Sequence, residues 1–576
     1  MTLPLPFSPS LLLLSLPPIL LTIHLLILTT TFLLRTLRPK SFPPGPNGRL
    51  ILNNLTQTNP RFPFLSYSAW SQSNRDTPLG IKKVGTNIVV LNSARLVRDL
   101  FERRGAIYSD RPRQYMNHEW VYCGDMRETI FENMSPWVVK WRKIANGYFG
   151  PGAVSKHRAV YEGETARLLV KLLDIAIEGG RDGAREEKNG GGASASHADV
   201  QSLLVNWLLS VPSLGICGRR LDTMGEFGIT PKNFKACTDA YAVAVAPSMR
   251  DLFPVLRYVP EVFGMAKWKG RARAVREEIK QMGLRFVKAA EEQRVLLDKG
   301  GKDGGWESML VKMIRERENG DDTFTYLDLA NTATHGVAAA MNTSLSVFEI
   351  MLLILAEYQD VQEKVREEVL NVSDGDVPKA ADLARLRYTE AFWNEVHRWR
   401  PVAPQGVAHA PSRDDIYNDY RIPKGATMIM NTWAIHHNPE DYDSPDEFIP
   451  ERFLHHPFGM KMDSEHDAVK LQAAGARVTY DFGAGRRICP GMHSAKQSLL
   501  LGLAKVLWAF EVMPREGGKI DLSLEGFTQD IALHPKRFDV DLRLREGRTR
   551  ADVLGHYNKA YEGEAEVFGW KGGIYK

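Results

Sequence analysis

The pattern of apolar and polar positions divides the chain into an N-terminal segment and a long remainder. Residues 11–34 are almost continuously apolar, broken by Ser15 and His24, and no charged residue precedes Arg35. A helix of this length reaches about 36 Å, more than the roughly 30 Å hydrocarbon core of a membrane. Because basic residues directly follow the run, we predict a single-pass anchor in residues 1–40 with the rest of the chain in the cytosol.

A cleaved signal peptide is the alternative to an anchor. It would have a basic start, a shorter apolar stretch and a small-residue cleavage site, and the sequence shows none of these. The next residues, 41–60, include Pro43, Pro44 and Pro46, which exclude a helix and favour an extended, stiff backbone. We therefore predict a proline-rich linker between the anchor and a folded domain.

Helical periodicity dominates residues 61–576, and strand-like patches are short. The pattern predicts one mainly α domain with small β-sheets, an α+β fold. Residues 178–196, rich in Gly, Ala and charge, predict a surface insertion. The predicted helices cover 271–298, 326–358, 359–369 and 386–398, and the predicted strands lie within 80–91, 406–430 and 538–544.

The segment 327–357 is long enough to cross a whole domain as one helix. Its second half is apolar on nearly all sides, so a second membrane span is one interpretation. However, Asn342, Thr343 and Glu349 would be costly in lipid. A buried central helix is therefore the preferred prediction.

Composition and charge set limits on function. Apolar residues make up 44% and charged residues 25% of the chain, as in globular rather than disordered proteins. A net charge of +5 over 576 residues gives no reason to expect a nucleic-acid partner. Four cysteines are too few for a disulfide scaffold, which indicates a reducing compartment for the folded part.

A glycine-rich loop near the C-terminus places Cys489 directly before an apolar-periodic stretch. If a helix begins there, its N–H groups and dipole point at the sulfur and favour a thiolate. The sequence has no second Cys or His pair nearby to complete a zinc site. An open iron centre with Cys489 as its one thiolate ligand is the preferred interpretation, against that of an inert buried thiol.

This loop resembles the haem loop of the cytochrome P450 family. Phe482, Gly485, Arg487, Cys489 and Gly491 stand at the relative positions where the family has Phe, Gly, Arg, Cys and Gly. The resemblance implies a cytochrome P450-like fold with a long central helix, and haem b (iron protoporphyrin IX) as the cofactor. It also implies that Cys489 is the axial iron ligand, that Phe482 packs beside the sulfur and that Arg487 pairs with a haem propionate.

A second match joins Glu395, Arg398 and Arg452. A Glu and an Arg three residues apart are usually a solvent-facing ion pair. In the family, however, such a pair and a later Arg form a buried network that braces the haem loop. The resemblance therefore implies a structural role for these three residues.

A third match lies on the predicted central helix, where Ala340, Asn342 and Thr343 stand in place of the family's usual Gly, acid and Thr. The resemblance implies that Thr343 helps deliver protons during oxygen activation and that Asn342 organises water, so both are candidate catalytic residues. Asn342 can form hydrogen bonds but cannot ionise. The alternative is that Thr343 only bonds back to the helix backbone.

Trp141 and His409 are the remaining candidate haem contacts. The family's Trp is followed four residues later by Arg, but here Ala145 stands at that position, and Arg142 or Lys143 would compensate. His409 matches a position that touches a propionate in many relatives. A hydrogen-bonded His with no such role is an equal alternative.

The resemblance implies a monooxygenase that inserts one atom of O₂ into an apolar small molecule. Because the chain has no flavin or nicotinamide fingerprint, electrons would come from NADPH–cytochrome P450 reductase, with cytochrome b5 as a second donor. The sequence looks most like fungal microsomal members, which implies the endoplasmic reticulum membrane and secondary metabolism. A basic docking face would include Lys140, Arg142, Lys143, Arg486 and Lys496. By analogy, the substrate pocket would be built from residues 108–131, 234–268, 333–343, 402–407 and 527–533.

Two alternatives remain open. A haem-thiolate isomerase, dehydratase or peroxygenase would act without a reductase, and the Asn342 departure favours it. A non-catalytic membrane haem-binding sensor would convert no substrate. Turnover measured with and without NADPH and reductase distinguishes these possibilities.

Overall fold

Most of the chain is described by a computed structural model. Residues 1–17 of the predicted anchor and residues 179–196 of the predicted insertion lie outside the described residues. The described residues are 18–178, 197–246, 249–253, 256–257, 267–299, 306–515, 518, 520–529 and 532–568.

The domain is mainly helical, as predicted. The helices of eight or more residues are α1 Pro18–Thr36, α2 Pro63–Trp70, α3 Pro136–Phe149, α4 Arg158–Glu178, α5 His197–Cys217, α6 Pro231–Val245, α7 Lys267–Lys299, α8 Met309–Glu318, α9 Tyr326–Glu357, α10 Gln359–Val372, α11 Arg387–Trp399, α12 Met492–Ala509 and α13 Arg550–Phe568. The four predicted helices correspond to α7, α9, α10 and α11, which confirms them to within a few residues at each end.

Helix α9 is the central helix of the domain. It begins at a capping box, in which the Thr325 hydroxyl accepts from the Asp328 backbone N–H and the Asp328 carboxylate accepts from the Thr325 N–H. It then runs unbroken for 32 residues between α5, α7 and α12. Two described helices are long and apolar enough to span a membrane, Val200–Cys217 and Tyr326–Glu357, but both are mostly buried in the domain. A core position, rather than a second span, is confirmed for α9.

The strands form small sheets, also as predicted. The strands are β1 Leu79–Lys83, β2 Thr86–Leu91, β3 Asp415–Tyr417, β4 Tyr420–Ile422, β5 Thr427–Met430, β6 Phe510–Pro514, β7 Phe527–Gln529, β8 Leu533–Pro535 and β9 Val540–Leu544. A three-stranded sheet has the order β1-β2-β5, with β1 and β2 antiparallel and β2 and β5 parallel, and the pairs β3-β4, β6-β9 and β7-β8 are antiparallel. The β1-β2 hairpin turns through Val84 and Gly85, both with positive φ, as a two-residue hairpin turn requires.

The segment between α1 and the domain packs against β1. The Gly80 N–H donates to the Pro44 carbonyl at 2.7 Å, and the Cβ of any residue replacing Gly45 would meet the Gly80 oxygen. The buried Lys82 ammonium donates to the main-chain carbonyls of Arg35 and Leu37, at 2.6 and 2.8 Å. These contacts fix the end of α1 to the sheet.

Helix α13 packs along α4 through a buried charged cluster. The Arg220 guanidinium donates to the carboxylates of Glu164 and Glu564, and all three side chains are at most 4% exposed. The sequence analysis did not predict this helix.

Candidate functional site

The site is built around the loop that precedes α12. The Cys489 N–H donates to the Phe482 carbonyl at 2.9 Å, which closes the loop just before the helix begins. Burial raises the pKa of the Cys489 thiol, while hydrogen bonds from the backbone N–H groups of Gly491 and Met492 and the charge of Arg142 oppose the rise. The predicted arrangement of a helix start aimed at the sulfur is therefore present.

Gly485 is required in this loop. It has a φ of 65°, and a Cβ there would lie 2.1 Å from the Phe101 carbonyl oxygen. Cys489 is an exposed residue, although protein atoms surround its thiol closely enough for burial to raise the pKa of the thiol.

The loop is held from behind by contacts that the sequence did not reveal. The Phe482 ring stacks on Trp393, with centroids 6.4 Å apart, and lies 4.9 Å from the His397 ring. Nδ1 of His397 is 2.6 Å from Oδ2 of Asp481. The Asp481 carboxylate also accepts from the backbone N–H groups of Val402 and Ala403 in the turn after α11, one on each oxygen. Phe482 is thus fixed by α11 rather than by the loop alone.

The Glu395 network is present as predicted. Arg398 makes a two-point contact with the Glu395 carboxylate, at 2.6 and 2.7 Å, and Arg452 donates to the same carboxylate at 3.2 Å. The Arg398 guanidinium also donates to the carbonyls of His436, Pro445 and Glu447. Both Glu395 and Arg398 are fully buried, so these bonds act in a low dielectric. They hold residues 436–447, which precede the cysteine loop, against α11.

Three buried or half-buried arginines converge beside the loop. Arg487 donates to the carbonyls of Ser109 and Glu132, and Arg142 donates to the Ile488 carbonyl. Arg111, which the sequence analysis missed, donates only to main-chain carbonyls as well. Burial lowers the pKa of Arg487 to about 10 and that of Arg111 to about 9, and the arginines lower one another's pKa further.

His409 belongs to the same region. Its Nδ1 is 2.8 Å from the Tyr108 carbonyl, and its ring stacks on Phe101 with centroids 4.1 Å apart. Burial holds the pKa of His409 well below its usual value, and the neighbouring Arg111 and Arg487 lower it further. The imidazole is therefore neutral at physiological pH and lies beside two arginines.

Trp141 lies on α3 and donates from Nε1 to the Thr332 hydroxyl of α9 at 3.1 Å. Ala145, at the position of the family's Arg, is buried, and Lys143 is exposed. Of the two residues considered as replacements, Arg142 is the one that reaches the cysteine loop.

Thr343 and Asn342 lie in the middle of α9. The Thr343 hydroxyl donates to the Ala339 carbonyl one turn earlier, at 2.8 Å. Between 327 and 356, Ala339 and Thr343 are the exposed positions of an otherwise buried or half-buried helix, and Asn342 is half-buried. The side chains of this stripe are therefore not covered by other described residues of the domain.

These residues fit haem. The arginines beside the loop form no ion pair with a carboxylate in the described part of the chain, although they are largely withdrawn from water. Buried cations need an anionic partner, and two propionates supply it. The Cys489 sulfur offers one thiolate ligand, and the described residues contain no His, Cys, Asp and Glu cluster that could hold a metal ion instead.

Comparison with known proteins identifies the family. The Cytochrome P450 family model matches residues 43–542. The chain is 60% identical over 95% of its length to cytochrome P450 monooxygenase grgG of a Penicillium species, of which it covers 95%. It is 26% identical over 92% of its length to cytochrome P450 monooxygenase patI of Aspergillus clavatus, and 27% identical over 91% to cytochrome P450 monooxygenase atE of Aspergillus terreus, covering 94% and 91% of them. The chain therefore belongs to the cytochrome P450 family and is a monooxygenase of that family.

Proposed function

We propose that the protein is a membrane-anchored, haem b-dependent monooxygenase of fungal secondary metabolism that oxidises a largely apolar small molecule. The observation that carries this proposal is the Cys489 thiol, which faces the backbone N–H groups at the start of α12 and lies near arginines that form no ion pair with a carboxylate in the described part of the chain. When bound, haem b supplies the iron chemistry that activates O₂ and oxidises the substrate.

The roles of the haem-binding residues follow from their positions. Cys489 ligates iron as a thiolate, which the N–H groups at the start of α12 stabilise. Arg487, Arg142 and Arg111 neutralise the propionates. The neutral His409 lies beside them, and because its Nδ1–H donates to the Tyr108 carbonyl, its Nε2 can only accept a hydrogen bond. Trp141 braces α3 against α9 through Thr332. Phe482 contacts Trp393 and His397 and so holds the cysteine loop against α11.

Thr343 and Asn342 serve proton delivery in this proposal. The Thr343 hydroxyl donates to Ala339, but its oxygen still has lone pairs that accept a hydrogen bond from water. Asn342 orients that water through its amide. Neither residue ionises near neutral pH, so protons must arrive through solvent.

A separate reductase supplies the electrons, with cytochrome b5 as a second donor. On the proposed docking face, Lys140 pairs with Asp321 and Lys496 pairs with Glu390. Arg486, within the cysteine loop, and Lys143, on α3, are exposed. They leave positive charge free to steer an acidic partner.

The anchor holds the domain to the endoplasmic reticulum membrane. Several apolar side chains of α1 are exposed, among them Leu26 at 65% and Leu34 at 62%. Exposed apolar side chains along α1 are typical of a helix embedded in a membrane rather than of a helix that faces water.

An isomerase, dehydratase or peroxygenase is the second candidate function. The bond from Thr343 to Ala339 and the absence of an ionisable group at Asn342 favour it, since such chemistry needs less distal proton delivery. Product formed in the absence of NADPH and reductase would support this alternative.

The test of the main proposal is the absorption spectrum of the reduced protein with carbon monoxide. The wild type should show the red-shifted Soret band of a thiolate-ligated haem, and Cys489→Ser should lose it. Cys123→Ser is the matched control, because Cys123 is also a free thiol, and it should keep the band. Retention of the band in Cys489→Ser contradicts the assignment.

A further inference from the structure

A buried polar cluster lies at one end of the stripe formed by Ala339 and Thr343. The Tyr122 hydroxyl forms a hydrogen bond with Nε2 of His335, and their ring centroids are 4.8 Å apart. The Tyr241 ring of α6 lies 5.8 Å from the Tyr122 ring and 6.1 Å from the His335 ring. Three elements, the loop before α3, α6 and α9, thus meet at one point.

Glu128 completes the cluster. One of its carboxylate oxygens, Oε1, is 4.0 Å from Nε2 of His335, and the other accepts the Phe131 N–H. Burial raises the pKa of Glu128 to about 7, and burial lowers the pKa of His335 to about 3. Near neutral pH the cluster therefore holds a neutral imidazole and a carboxyl group that readily carries a proton.

The cluster lies on the same face of α9 as the exposed stripe. His335, Ala339 and Thr343 are spaced four residues apart, so they follow one another along one side of the helix. Eight residues of helix rise about 12 Å. A molecule that contacts both His335 and Thr343 must therefore extend roughly that far.

Two polar atoms of the cluster are buried without a hydrogen-bond partner in the described part of the chain. They are Oε1 of Glu128 and Nδ1 of His335, and both residues are at most 5% exposed. Leaving such atoms unpaired costs about 1–3 kcal/mol each, and apolar residues of the same size would avoid that cost. If the Tyr122 hydroxyl donates to Nε2, the Nδ1 of His335 carries the hydrogen and is a donor.

We propose that Glu128 and His335, covered by Tyr122, bind an uncharged oxygen-bearing group, a hydroxyl or a ketone, at the end of the substrate remote from Thr343. An oxygen of this kind accepts from His335 Nδ1, and a hydroxyl also donates to Glu128 Oε1. A carboxylate would meet the Glu128 carboxyl group, and the nearest cation, Arg111, lowers the pKa of Glu128 but donates its hydrogen bonds to main-chain carbonyls. The inference rests on the proposed monooxygenase function and assigns its substrate class.

The test uses the haem-loaded full-length protein and four probes: decane, 1-decanol, 2-decanone and decanoate. Dissociation constants are measured from the Soret shift on binding. For each variant, the preference is the dissociation constant of decane divided by that of 1-decanol or of 2-decanone, so that differences in hydrophobicity cancel between variants. We expect both preferences to fall about tenfold in His335→Leu, the effect of losing one hydrogen bond to a buried group.

Matched variants separate recognition from packing. Thr334→Val is the control, because the Thr334 hydroxyl donates to the Ala330 carbonyl and is not part of the cluster, and it should keep the wild-type preference. Glu128→Leu should reduce the 1-decanol preference, whereas Glu128→Gln, which keeps hydrogen-bonding capacity, should retain most of it. The Glu128 pair decides the question if His335→Leu does not load haem.

An equal preference in wild type, His335→Leu and Glu128→Leu would overturn the inference, and so would tighter binding of decanoate than of 1-decanol by the wild type. These outcomes differ from failure of the proposed function. That failure would appear earlier, as a wild-type protein without the thiolate Soret band.

Discussion

At the scale of single residues, the hydroxyl of Thr343 gives a direct test of distal proton delivery. Thr343→Ala should leave haem content and substrate binding largely intact, because the side chain is exposed and its one hydrogen bond is to its own helix. Product formed per NADPH consumed should fall by about an order of magnitude, with the lost reducing equivalents appearing as peroxide.

Thr334→Val is the control for this measurement, since Thr334 also bonds back to α9 but is buried. An unchanged product ratio in Thr343→Ala would mean that Thr343 only packs. Asn342→Asp is the companion variant: if proton supply limits turnover, an ionisable group at that position should raise it. A loss of activity would instead show that the amide of Asn342 orients water or substrate.

Sequence motifs predicted those parts of the site whose residues are close together along the chain. The loop from Phe482 to Gly491 and the Glu395–Arg398 pair fall within a few residues, and the structure shows both arrangements. Arg111 could not be found in this way, because the fold brings it beside Arg487 from more than three hundred residues away. The pairing of His397 with Asp481 likewise depends on how α11 packs behind the loop.

At the scale of elements, α13 is held by one buried arginine between two carboxylates. Arg220→Met would remove the cation that donates to both carboxyl groups and leave the buried Glu164 charge with only the interaction of Arg167, so we expect a loss of about 3–5 kcal/mol in the free energy of unfolding. Thermal unfolding measures it. Arg219→Met is the control, because the ion pairs of Arg219 with Glu226 and Glu292 are partly exposed and should contribute less than about 1 kcal/mol. Equal effects of the two substitutions would contradict this role for Arg220.

The same cluster predicts a pH dependence. Burial, together with the nearby Glu164, raises the pKa of Glu564 well above its usual 4.5. The folded protein then holds a proton that the unfolded chain has released, so this group makes stability fall as pH rises above about 4.5, until Glu564 itself ionises. Glu564→Gln removes this dependence. The melting temperature of Glu564→Gln, relative to that of the wild type, should therefore rise as the pH increases from about 5 to about 8. Glu566→Gln, at an exposed position, should not show this change.

Elements were predictable where their own pattern is strong. Helices α7, α9, α10 and α11 carry clear apolar periodicity, and their predicted bounds agree with the structure to within a few residues. Helix α13 has few buried apolar side chains, Val553 and Tyr557 among them, so its sequence alone gives a weak signal. The parallel pairing of β2 with β5 joins Ile88 to Thr427, a contact between distant segments that no local pattern specifies.

At the scale of the whole molecule, the proposed topology makes a prediction about glycosylation. Asn54, Asn133, Asn342 and Asn371 each begin an Asn-x-Ser/Thr sequence. Asn54 is buried, and Asn371 is exposed at the end of α10. If the domain faces the cytosol, Asn371 should carry no glycan. Glycosidase treatment of the full-length protein should leave its mass unchanged, and a shift that Asn371→Gln abolishes would show that the orientation is inverted.

The junction between α1 and the domain determines where the proposed anchor can be removed. Deletion of residues 1–34 should release most of the protein from membranes and leave it folded, because Arg35 and Leu37 still provide carbonyls for the buried Lys82 ammonium. Deletion of residues 1–38 removes both acceptors. Burial lowers the pKa of Lys82 to about 8, so near neutral pH the side chain is mostly charged and depends on these contacts.

We therefore expect the shorter protein, 39–576, to be less stable than 35–576 by about 3 kcal/mol, the order of two hydrogen bonds to a charged group. Both proteins should partition equally into the soluble fraction when folded, so thermal unfolding rather than membrane binding distinguishes them. Lys82→Met in the 39–576 protein should recover part of the loss, because it removes an ammonium that has lost two of its three acceptors and keeps only Asn87 Oδ1, at 3.0 Å. The same substitution in the 35–576 protein should be destabilising. Equal melting temperatures for the two truncated proteins would show that Lys82 does not depend on the end of α1, and that the anchor can be separated from the domain at either position.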